Sequence, residues 1–157
     1  MTWRTLSAEH NTLVSVRLQD GSTRHQRVRG ILALERPDRL RLRVLGPASV
    51  TLFDLLASQG KCSVVSWPYG TAPAQGSPAS QILRALCHDL LAAYGLGPKP
   101  SPATTITYGD WRRVFGSLEP FRVRLENKAH GYSADIRVVR LAVDPNLPPD
   151  VFAPASR

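Results

Sequence analysis

The C-terminal part of the chain alternates apolar and charged residues, and this alternation limits the fold more than any other feature. Between Pro120 and Asn127 the apolar side chains are Phe121, Val123 and Leu125, and every intervening position is charged. Because successive side chains of a β-strand point to opposite faces of a sheet, this period predicts a sheet with one apolar and one hydrated face. Another part of the chain must then cover the apolar face.

The same pattern predicts a meander of strands over residues 12–67, joined by short turns such as Asp20-Gly21. These strands are Thr12 to Gln19, Arg24 to Glu35, Arg39 to Leu45, Ala48 to Ala57 and Lys61 to Trp67. Residues Thr2 to His10 are compatible with either a short helix or an extended lead-in.

A second group of strands is predicted over residues 103–157, which end in an irregular tail carrying Phe152. Its strands are Ala103 to Tyr108, Trp111 to Phe115, Pro120 to Asn127 and Tyr132 to Val143. We interpret Tyr108 to Trp111 as a turn, because Gly-Asp is typical of turns, with Trp111 packed as a strand aromatic.

One amphipathic helix separates the two groups. Its apolar residues recur at helical spacing between Pro78 and Tyr94, namely Ile82, Leu83, Leu86, Leu90 and Leu91. Ser77 followed by Pro78 is a typical helix start, and Gly95 is a typical stop. The small-residue segment Gly70 to Ser77 and the proline-rich segment Gly95 to Pro102 are predicted connectors, and we expect any opening motion to occur there.

Composition favours a single domain of 157 residues with 43% hydrophobic residues. No window approaches the roughly 20 apolar residues that a bilayer helix needs. Met1 to Arg4 lacks the apolar core of a signal peptide. The protein is therefore expected either to be cytoplasmic or to have an export segment that is not part of this sequence.

The net charge is +8, and all but three of the twenty basic residues are arginine. Arg39, Arg41 and Arg43 alternate with apolar residues, so we expect them on one hydrated face. Attraction to anionic lipid headgroups is an alternative role for this stripe. A nucleic-acid or acidic-protein module is a rival interpretation of the basic charge, although the stripe has no aromatic residue for base stacking.

Few residues are candidates for chemistry. Cys62 and Cys87 lack metal-ligand spacing and are compatible with one strand-to-helix disulfide or with two buried free thiols. The four histidines, His10, His25, His88 and His130, are expected on the surface or in loops. The carboxylates Asp54, Asp89, Asp110 and Asp135 fall in separate elements, so no catalytic or metal site and no cofactor are predicted.

The pattern predicts a curved antiparallel sheet of about nine strands with one helix. Such a sheet encloses more apolar surface than one helix covers. Full closure, a second helix from the N-terminus, or a cavity for a hydrophobic ligand would resolve this mismatch. The predicted cavity residues are Leu32, Leu34, Leu40, Leu42, Val44, Leu52, Val64, Val123 and Leu125 on the sheet, with Ile82, Leu86 and Leu90 on the helix.

The order of elements, together with several loose motifs, resembles the LolA/LolB superfamily of lipoprotein carriers from about Leu13 to Pro154. The motifs are Tyr108 to Trp111, Gly116 to Phe121, Asn146 to Pro154, the Gly30 to Leu42 strand pair with its proline turn, and Leu45 to Leu52. At the position of Ala48 the LolB-like members carry a protruding leucine. The acylated N-terminal cysteine of LolB-like lipoproteins also has no counterpart here.

The resemblance implies an α+β fold: a curved, incompletely closed antiparallel barrel of about nine to eleven strands with a helix across its mouth. It implies one domain over residues 1–157, with a first meander at 12–67, a lid helix at 78–94 and a second meander with its tail at 103–157. It implies a non-catalytic protein without cofactors that receives acyl chains of lipoproteins, or other lipids, in a hydrophobic cavity. The expected location is the periplasm or the outer membrane, with an export signal or lipid anchor preceding Met1. We expect a monomer that binds no nucleic acid. A structural lipoprotein with a filled interior is a further alternative.

Overall fold

The computed structural model describes residues 3–66 and 76–153. In these ranges eight strands form one antiparallel sheet, and one α-helix packs against it. The elements in chain order are β1 (Thr5–Arg17), β2 (Thr23–Glu35), β3 (Arg39–Leu45), β4 (Thr51–Ser58), β5 (Lys61–Ser66), α1 (Pro78–Ala93), β6 (Thr104–Val114), β7 (Ser117–Asn127) and β8 (Tyr132–Val143).

The strand order across the sheet is β5-β4-β3-β2-β1-β8-β7-β6. The sheet is curved and does not close, because β5 and β6 form its two edges. The helix follows β5 and precedes β6 in the chain, so its segment connects the two edges. The expectation of a curved, incompletely closed antiparallel sheet with one helix is therefore confirmed for the described residues.

β1 lies in the middle of the sheet and pairs with both β2 and β8. The segment that the sequence left undecided before His10 is extended, because Leu6 and Ala8 alternate with polar neighbours and face the core. The alternative of a second helix from the N-terminus is not met in the described residues, where this segment is strand.

The strand count differs from the prediction, since the described residues contain eight strands rather than nine to eleven. The expected turn from Tyr108 to Trp111 is wrong, because β6 runs through it without a break. Gly109 pairs with Arg122 and Trp111 with Pro120, so the register is the same on both sides of Asp110, which has a φ of 50°. The turn signal therefore marks a local backbone irregularity within a continuous strand.

Trp111 itself is 49% exposed, and its ring centroid lies 5.9 Å from that of Tyr108. The expectation that Trp111 is packed within a strand is therefore only half met. The start of the fourth strand also moves: Pro47–Ser49 forms a short 3-10 turn, with Ala48 at a φ of 58°, and β4 begins at Thr51.

The core lies between the concave face of the sheet and α1. Alternate residues of the strands supply Leu32, Leu34, Leu40 and Leu42, and the helix supplies Leu83, Leu90 and Leu91. Each such leucine removed from water contributes about 1.5–3 kcal/mol. Burial of this shared apolar face therefore holds the helix in place.

The ends of α1 match the sequence signals. Ser77 Oγ accepts a hydrogen bond from the Ser80 amide at 3.3 Å, and Pro78 occupies the first turn. Gly95 adopts a φ of 72°, and the Leu96 amide then donates to the Leu91 carbonyl at 2.8 Å. This left-handed residue is the reason for a glycine at the C-terminus of the helix.

Candidate functional site

Most of the predicted cavity residues belong to the buried cluster beneath α1. Eight of the twelve are buried: Leu32, Leu34, Leu40, Leu42, Val44, Leu90, Val123 and Leu125. Val64 and Leu86 are partly buried and pack against the same cluster, and Ile82 is partly buried on the helix. These eleven residues therefore share one region, on the sheet face that the helix covers or on the helix itself.

Leu52, the twelfth residue, lies at the margin of this region. In the β3–β4 register Phe53 is opposite Val44, but Thr51 is opposite Leu45, so Leu52 is the extra residue of a β-bulge and has no partner in that register. Its side chain is partly buried against the cluster and lies close to Gly46, where an added Cβ would come within 3.0 Å of it. Phe53 therefore takes the inward position that the sequence assigned to Leu52.

The concave face is packed in the described residues. A void of about 30 Å³ lies beside Leu55, Val64 and Leu83, which is about the volume that one water molecule occupies in the liquid. An acyl chain needs far more room than this void offers. As the described residues are placed, an acyl chain could bind beneath the helix only if α1 moved away from the sheet.

A disulfide joins the helix to one edge of the sheet. Cys62 of β5 and Cys87 of α1 are bonded, with their Cα atoms 6.2 Å apart. Of the two alternatives that the sequence left open, the structure has the strand-to-helix bridge. It fixes the middle of α1 against β5.

A buried carboxylate joins the helix to the other half of the sheet. Asp89 accepts hydrogen bonds from Thr104 Oγ1 at 3.3 Å, from Asn127 Nδ2 at 3.0 Å and from the Tyr132 hydroxyl. These three partners belong to β6, β7 and β8. Burial, and then the bond to Asp89, raise the pKa of Tyr132, so this hydroxyl stays protonated and continues to donate.

The disulfide at Cys87 and the hydrogen bonds at Asp89 attach opposite sides of α1 to the sheet. Successive residues of an α-helix are rotated by about 100°, so Cys87 and Asp89 point in nearly opposite directions. Cys87 faces the β5 edge, whereas Asp89 reaches the strands that follow the helix. In the sequence Asp89 is only an isolated carboxylate, although an acidic residue between Cys87 and Leu90 on a buried helix face is a signal of this role.

His10 is buried, so the expectation that it is a surface or loop residue is wrong. Its Nδ1 lies 3.0 Å from Thr12 Oγ1, and burial lowers the pKa of His10 to about 4. The ring occupies the space beside Gly30, where an added Cβ would clash with His10 Cε1. Glycine at position 30 therefore makes room for a neutral imidazole at the centre of the sheet. The remaining three histidines are exposed, as expected.

The interior also contains polar atoms without partners. Glu119 is 0% exposed; its Oε1 accepts a hydrogen bond from Ser117 Oγ at 2.6 Å, whereas its Oε2 has no partner among the described residues. The Tyr94 hydroxyl is likewise buried and unpartnered there, and burial followed by the nearby Glu119 raises its pKa. Trp3 Nε1 and His10 Nε2 share this condition. Native proteins contain a few such unpaired buried groups, so these four atoms are compatible with an ordinary core.

The predicted arginine stripe on β3 is only partly hydrated. Arg41 forms two hydrogen bonds to Asp54, at 2.9 and 2.6 Å, and also donates to the carbonyls of Val151 and Ala153 in the tail. Arg39 pairs with Glu35, and Arg43 also reaches Asp54. Most of the positive charge of this stripe is therefore matched within the protein.

Comparison with solved structures identifies the architecture. A LolA superfamily protein, NE2245 from Nitrosomonas europaea, superposes with a TM-score of 0.58 over 98% of this chain and 91% of its own, at 9% sequence identity. A DUF1329 family protein from Desulfovibrio piger gives 0.50 over 96% and 90%, at 9% identity. A Vibrio parahaemolyticus domain described as a putative outer membrane lipoprotein-sorting protein gives 0.49 over 96% and 90%, at 13% identity.

The first of these similarities shows that the chain shares the fold of a LolA superfamily protein, and the resemblance inferred from its sequence is confirmed at the level of the fold. No protein-family model and no curated protein matches the sequence. Among the described residues, no cluster of three or more histidine, cysteine or acidic side chains is arranged to hold a metal ion. None of the described helices is long and apolar enough to cross a membrane.

Proposed function

We propose that the protein is a non-catalytic carrier that holds acyl chains of lipoproteins, or other lipids, between the concave face of the sheet and α1. The observation that carries this proposal is the continuous apolar face of an open sheet, covered by a single helix. Each methylene moved from water to such a surface contributes about 0.8 kcal/mol, so a few acyl chains supply a large driving force. Such contacts have no direction, so selectivity among chains would be low.

The unequal attachments of α1 suggest how the site would open. The covalent bond to Cys62 holds one side of the helix, whereas the hydrogen bonds to Asp89 are reversible. In the proposed open state α1 swings about its β5 side while the contacts to β6, β7 and β8 break. The connector after Gly95 would accommodate this motion, and most of the connector from Gly70 to Ser77 lies outside the described residues.

The proposed location is the periplasm or the outer membrane. A disulfide persists in oxidising compartments, and the periplasm is one of these. The fold is shared with the LolA superfamily protein from Nitrosomonas europaea. In this proposal the protein acts as a monomer and uses no cofactor.

A second candidate is a structural protein of the same fold with a permanently filled interior. The small void beneath α1 favours this candidate, since the described core is packed as it stands. The two candidates differ in whether the helix yields to a ligand, and this difference is measurable.

The test is a titration of a fluorescent fatty acid into the folded protein, with a diacylated lipopeptide as competitor. The carrier should bind the probe saturably and release it to the lipopeptide. Leu86→Glu, which places a charge on the apolar side of α1, should weaken binding at least about tenfold. His88→Glu adds the same charge at an exposed position of α1 and should leave binding unchanged.

Thermal unfolding of both variants verifies that they are folded. Absence of probe binding by the folded wild-type protein would reject the carrier in favour of the filled interior. Unchanged binding by a folded Leu86→Glu variant would reject the position of the ligand beneath α1. Salt-sensitive oligonucleotide binding without probe binding would instead support the rival nucleic-acid module.

A further inference from the structure

A separate pocket of about 600 Å³ opens on the convex face of the sheet, away from α1. Its lining includes Arg27 and Arg29 of β2, Asn11 and Leu13 of β1, and Arg137 of β8. Leu45 at the end of β3 lies at one side, next to the turn at Gly46 and Pro47. None of the twelve predicted cavity residues contributes to it.

The strand register places the basic residues around one point. Arg29 pairs with Asn11 across β2 and β1, and Asn11 pairs with Arg137 across β1 and β8. Neighbouring strands are about 4.8 Å apart, so the backbones of Arg29 and Arg137 are about 10 Å apart with Asn11 between them. Two arginine side chains on this spacing can both reach one anion held above Asn11.

The charges at this pocket are not matched by ion pairs within the protein. In the part of the chain that the structure describes, no carboxylate forms an ion pair with Arg27, Arg29 or Arg137. The one acidic residue of the lining, Asp135, is held by Arg122 with an Nη2–Oδ2 distance of 2.9 Å. The hydrogen bond from Arg122, with smaller contributions from the charges of Arg124 and Arg137, lowers the pKa of Asp135. This carboxylate therefore stays ionised and bound to Arg122, and it offsets only part of the charge of Arg137.

This arrangement differs from the β3 stripe, where Asp54 and the tail carbonyls bind Arg41. Three guanidinium groups around one pocket repel one another, and a bound anion would relieve this repulsion. Guanidinium groups match phosphate oxygens through paired hydrogen bonds. The pocket therefore suits a phosphate group better than a single carboxylate.

The rest of the lining restricts the ligand further. Leu45 is buried and Leu13 partly buried, so part of the pocket is apolar. The described lining contains no aromatic side chain on which a base could stack. A phosphate joined to a small aliphatic group fits this combination, whereas a nucleotide base does not.

We infer that this convex pocket binds the phosphate of a phospholipid headgroup, with Arg29 and Arg137 on either side of it and Arg27 adjacent. The site is distinct from the acyl-chain site and lies on the opposite face of the sheet. It would orient the protein on an anionic membrane surface while α1 remains free. A small soluble phosphate ester such as glycerol 3-phosphate carries the same phosphate group and is the alternative ligand.

The test compares the wild-type protein with the double variant Arg29→Gln/Arg137→Gln. The matched control is Arg24→Gln/Arg84→Gln, which removes the same charge from exposed positions outside the pocket. Co-sedimentation is measured with vesicles of phosphatidylcholine alone and of phosphatidylcholine mixed with phosphatidylglycerol. Calorimetry with glycerol 3-phosphate measures the soluble ligand.

Binding to the anionic vesicles is expected to fall about thirtyfold in the pocket variant and much less in the control. Equal losses in the two variants would overturn the pocket, because they would show a diffuse charge effect. The wild-type protein could instead bind glycerol 3-phosphate but not the vesicles, with that binding lost in the pocket variant. This result would support the phosphate site but overturn the assignment of its ligand to a membrane lipid. Oligonucleotide binding lost in the same variant, with no vesicle binding, would overturn the lipid assignment.

Fatty acid binding by Arg29→Gln/Arg137→Gln is measured in parallel and is expected to equal that of the wild-type protein. This readout separates the two proposals, since failure of the convex pocket leaves the concave site untouched. If the protein does not bind fatty acid, the carrier proposal fails, and the vesicle experiment still tests the convex pocket.

Discussion

The two sides of α1 are attached to the sheet by different chemistry. On the β5 side, one covalent bond joins Cys87 to Cys62. On the other side, Asp89 is held by three side-chain donors from three strands. The disulfide is not broken by thermal motion and opens only on reduction. The hydrogen bonds to Asp89 break reversibly when the helix moves.

The two halves of the sheet therefore hold the helix with unequal strength. An opening that separates α1 from β6, β7 and β8 breaks the hydrogen bonds to Asp89 and the one that the Tyr108 hydroxyl donates to the Ala93 carbonyl. An opening that separates α1 from β5 requires a reductant. The direction of any reversible opening is therefore set by the position of the disulfide.

The largest effect is expected from removing the polar attachment. In Asp89→Ala, the buried donors of Thr104, Asn127 and Tyr132 lose their acceptor, and each unsatisfied group costs about 1–3 kcal/mol. The free energy of unfolding should therefore fall by about 4 kcal/mol, measured by urea denaturation.

Glu35→Ala is the control for Asp89→Ala, because the pair between Glu35 and Arg39 is partly exposed to solvent and should contribute less than about 1 kcal/mol. Equal effects of the two substitutions would show that the Asp89 contacts do not hold the helix.

Removing the covalent attachment should have a slightly smaller effect. The bridge spans a sequence separation of 25, and closing a loop of that size stabilises a protein by about 3 kcal/mol. Cys62→Ala/Cys87→Ala should lower the unfolding free energy by this amount, and the wild-type protein in dithiothreitol should behave in the same way.

The rate of ligand release from the disulfide variant also tests the direction in which the helix opens. If the helix swings about its β5 side, loss of the bridge should accelerate release of a bound fluorescent fatty acid less than Asp89→Ala does. The reverse order, measured by stopped-flow fluorescence, would place the opening on the β5 side.

A third prediction concerns the sheet centre, between the two attachments. Burial lowers the pKa of His10 to about 4, below the unfolded value of about 6.5. The unfolded chain therefore binds more protons between these two values, and stability falls as the pH falls through this window. From pH 6 to pH 4.5 the loss should be about 2 kcal/mol.

His10→Asn should flatten this part of the pH profile, whatever its effect on stability at neutral pH. His88→Asn alters an exposed histidine of α1 and should keep the wild-type slope. A slope that persists in His10→Asn would assign the pH dependence to other groups.

The smallest effect is expected at the end of the helix. Ser77→Ala removes the side-chain acceptor for the Ser80 amide and should cost about 1 kcal/mol, whereas Ser77→Gly should cost only a few tenths. Thermal unfolding of the two variants measures the difference. A cost near that of the disulfide variant would mean that the helix depends on its own cap as much as on its attachments.

Local patterns were sufficient to predict most of the elements. The helix from Pro78 onward was predicted from its apolar spacing, its serine cap and Gly95, and β8 was predicted with the bounds that the structure has. The alternation of charged and apolar residues also identified the inward face of β2, β3 and β7. In β4 the pattern was ambiguous, because apolar residues occur at both parities and the bulge at Leu52 places Phe53 opposite Val44.

The remaining features depend on partners that are distant in the sequence. Asp89 is predictable as an attachment only when Asn127 and Tyr132 are known to lie beneath it. His10 is buried because β1 is flanked on both sides and Gly30 leaves room for its ring. The convex pocket likewise arises from β2, β1 and β8 meeting, which no local pattern specifies.

The pairing of β1 with β8 has a consequence for how the chain acquires its structure. The Arg4 amide donates to Asp144 Oδ1 at 2.7 Å across a separation of 140 residues, and Leu6 lies opposite Val143. Contacts of such long range form slowly, because a large loop must close before they contribute. The strands on either side of this pairing can form first, and the slow pairing of β1 with β8 should then limit the rate of refolding. Docking of the helix should not be the limiting step.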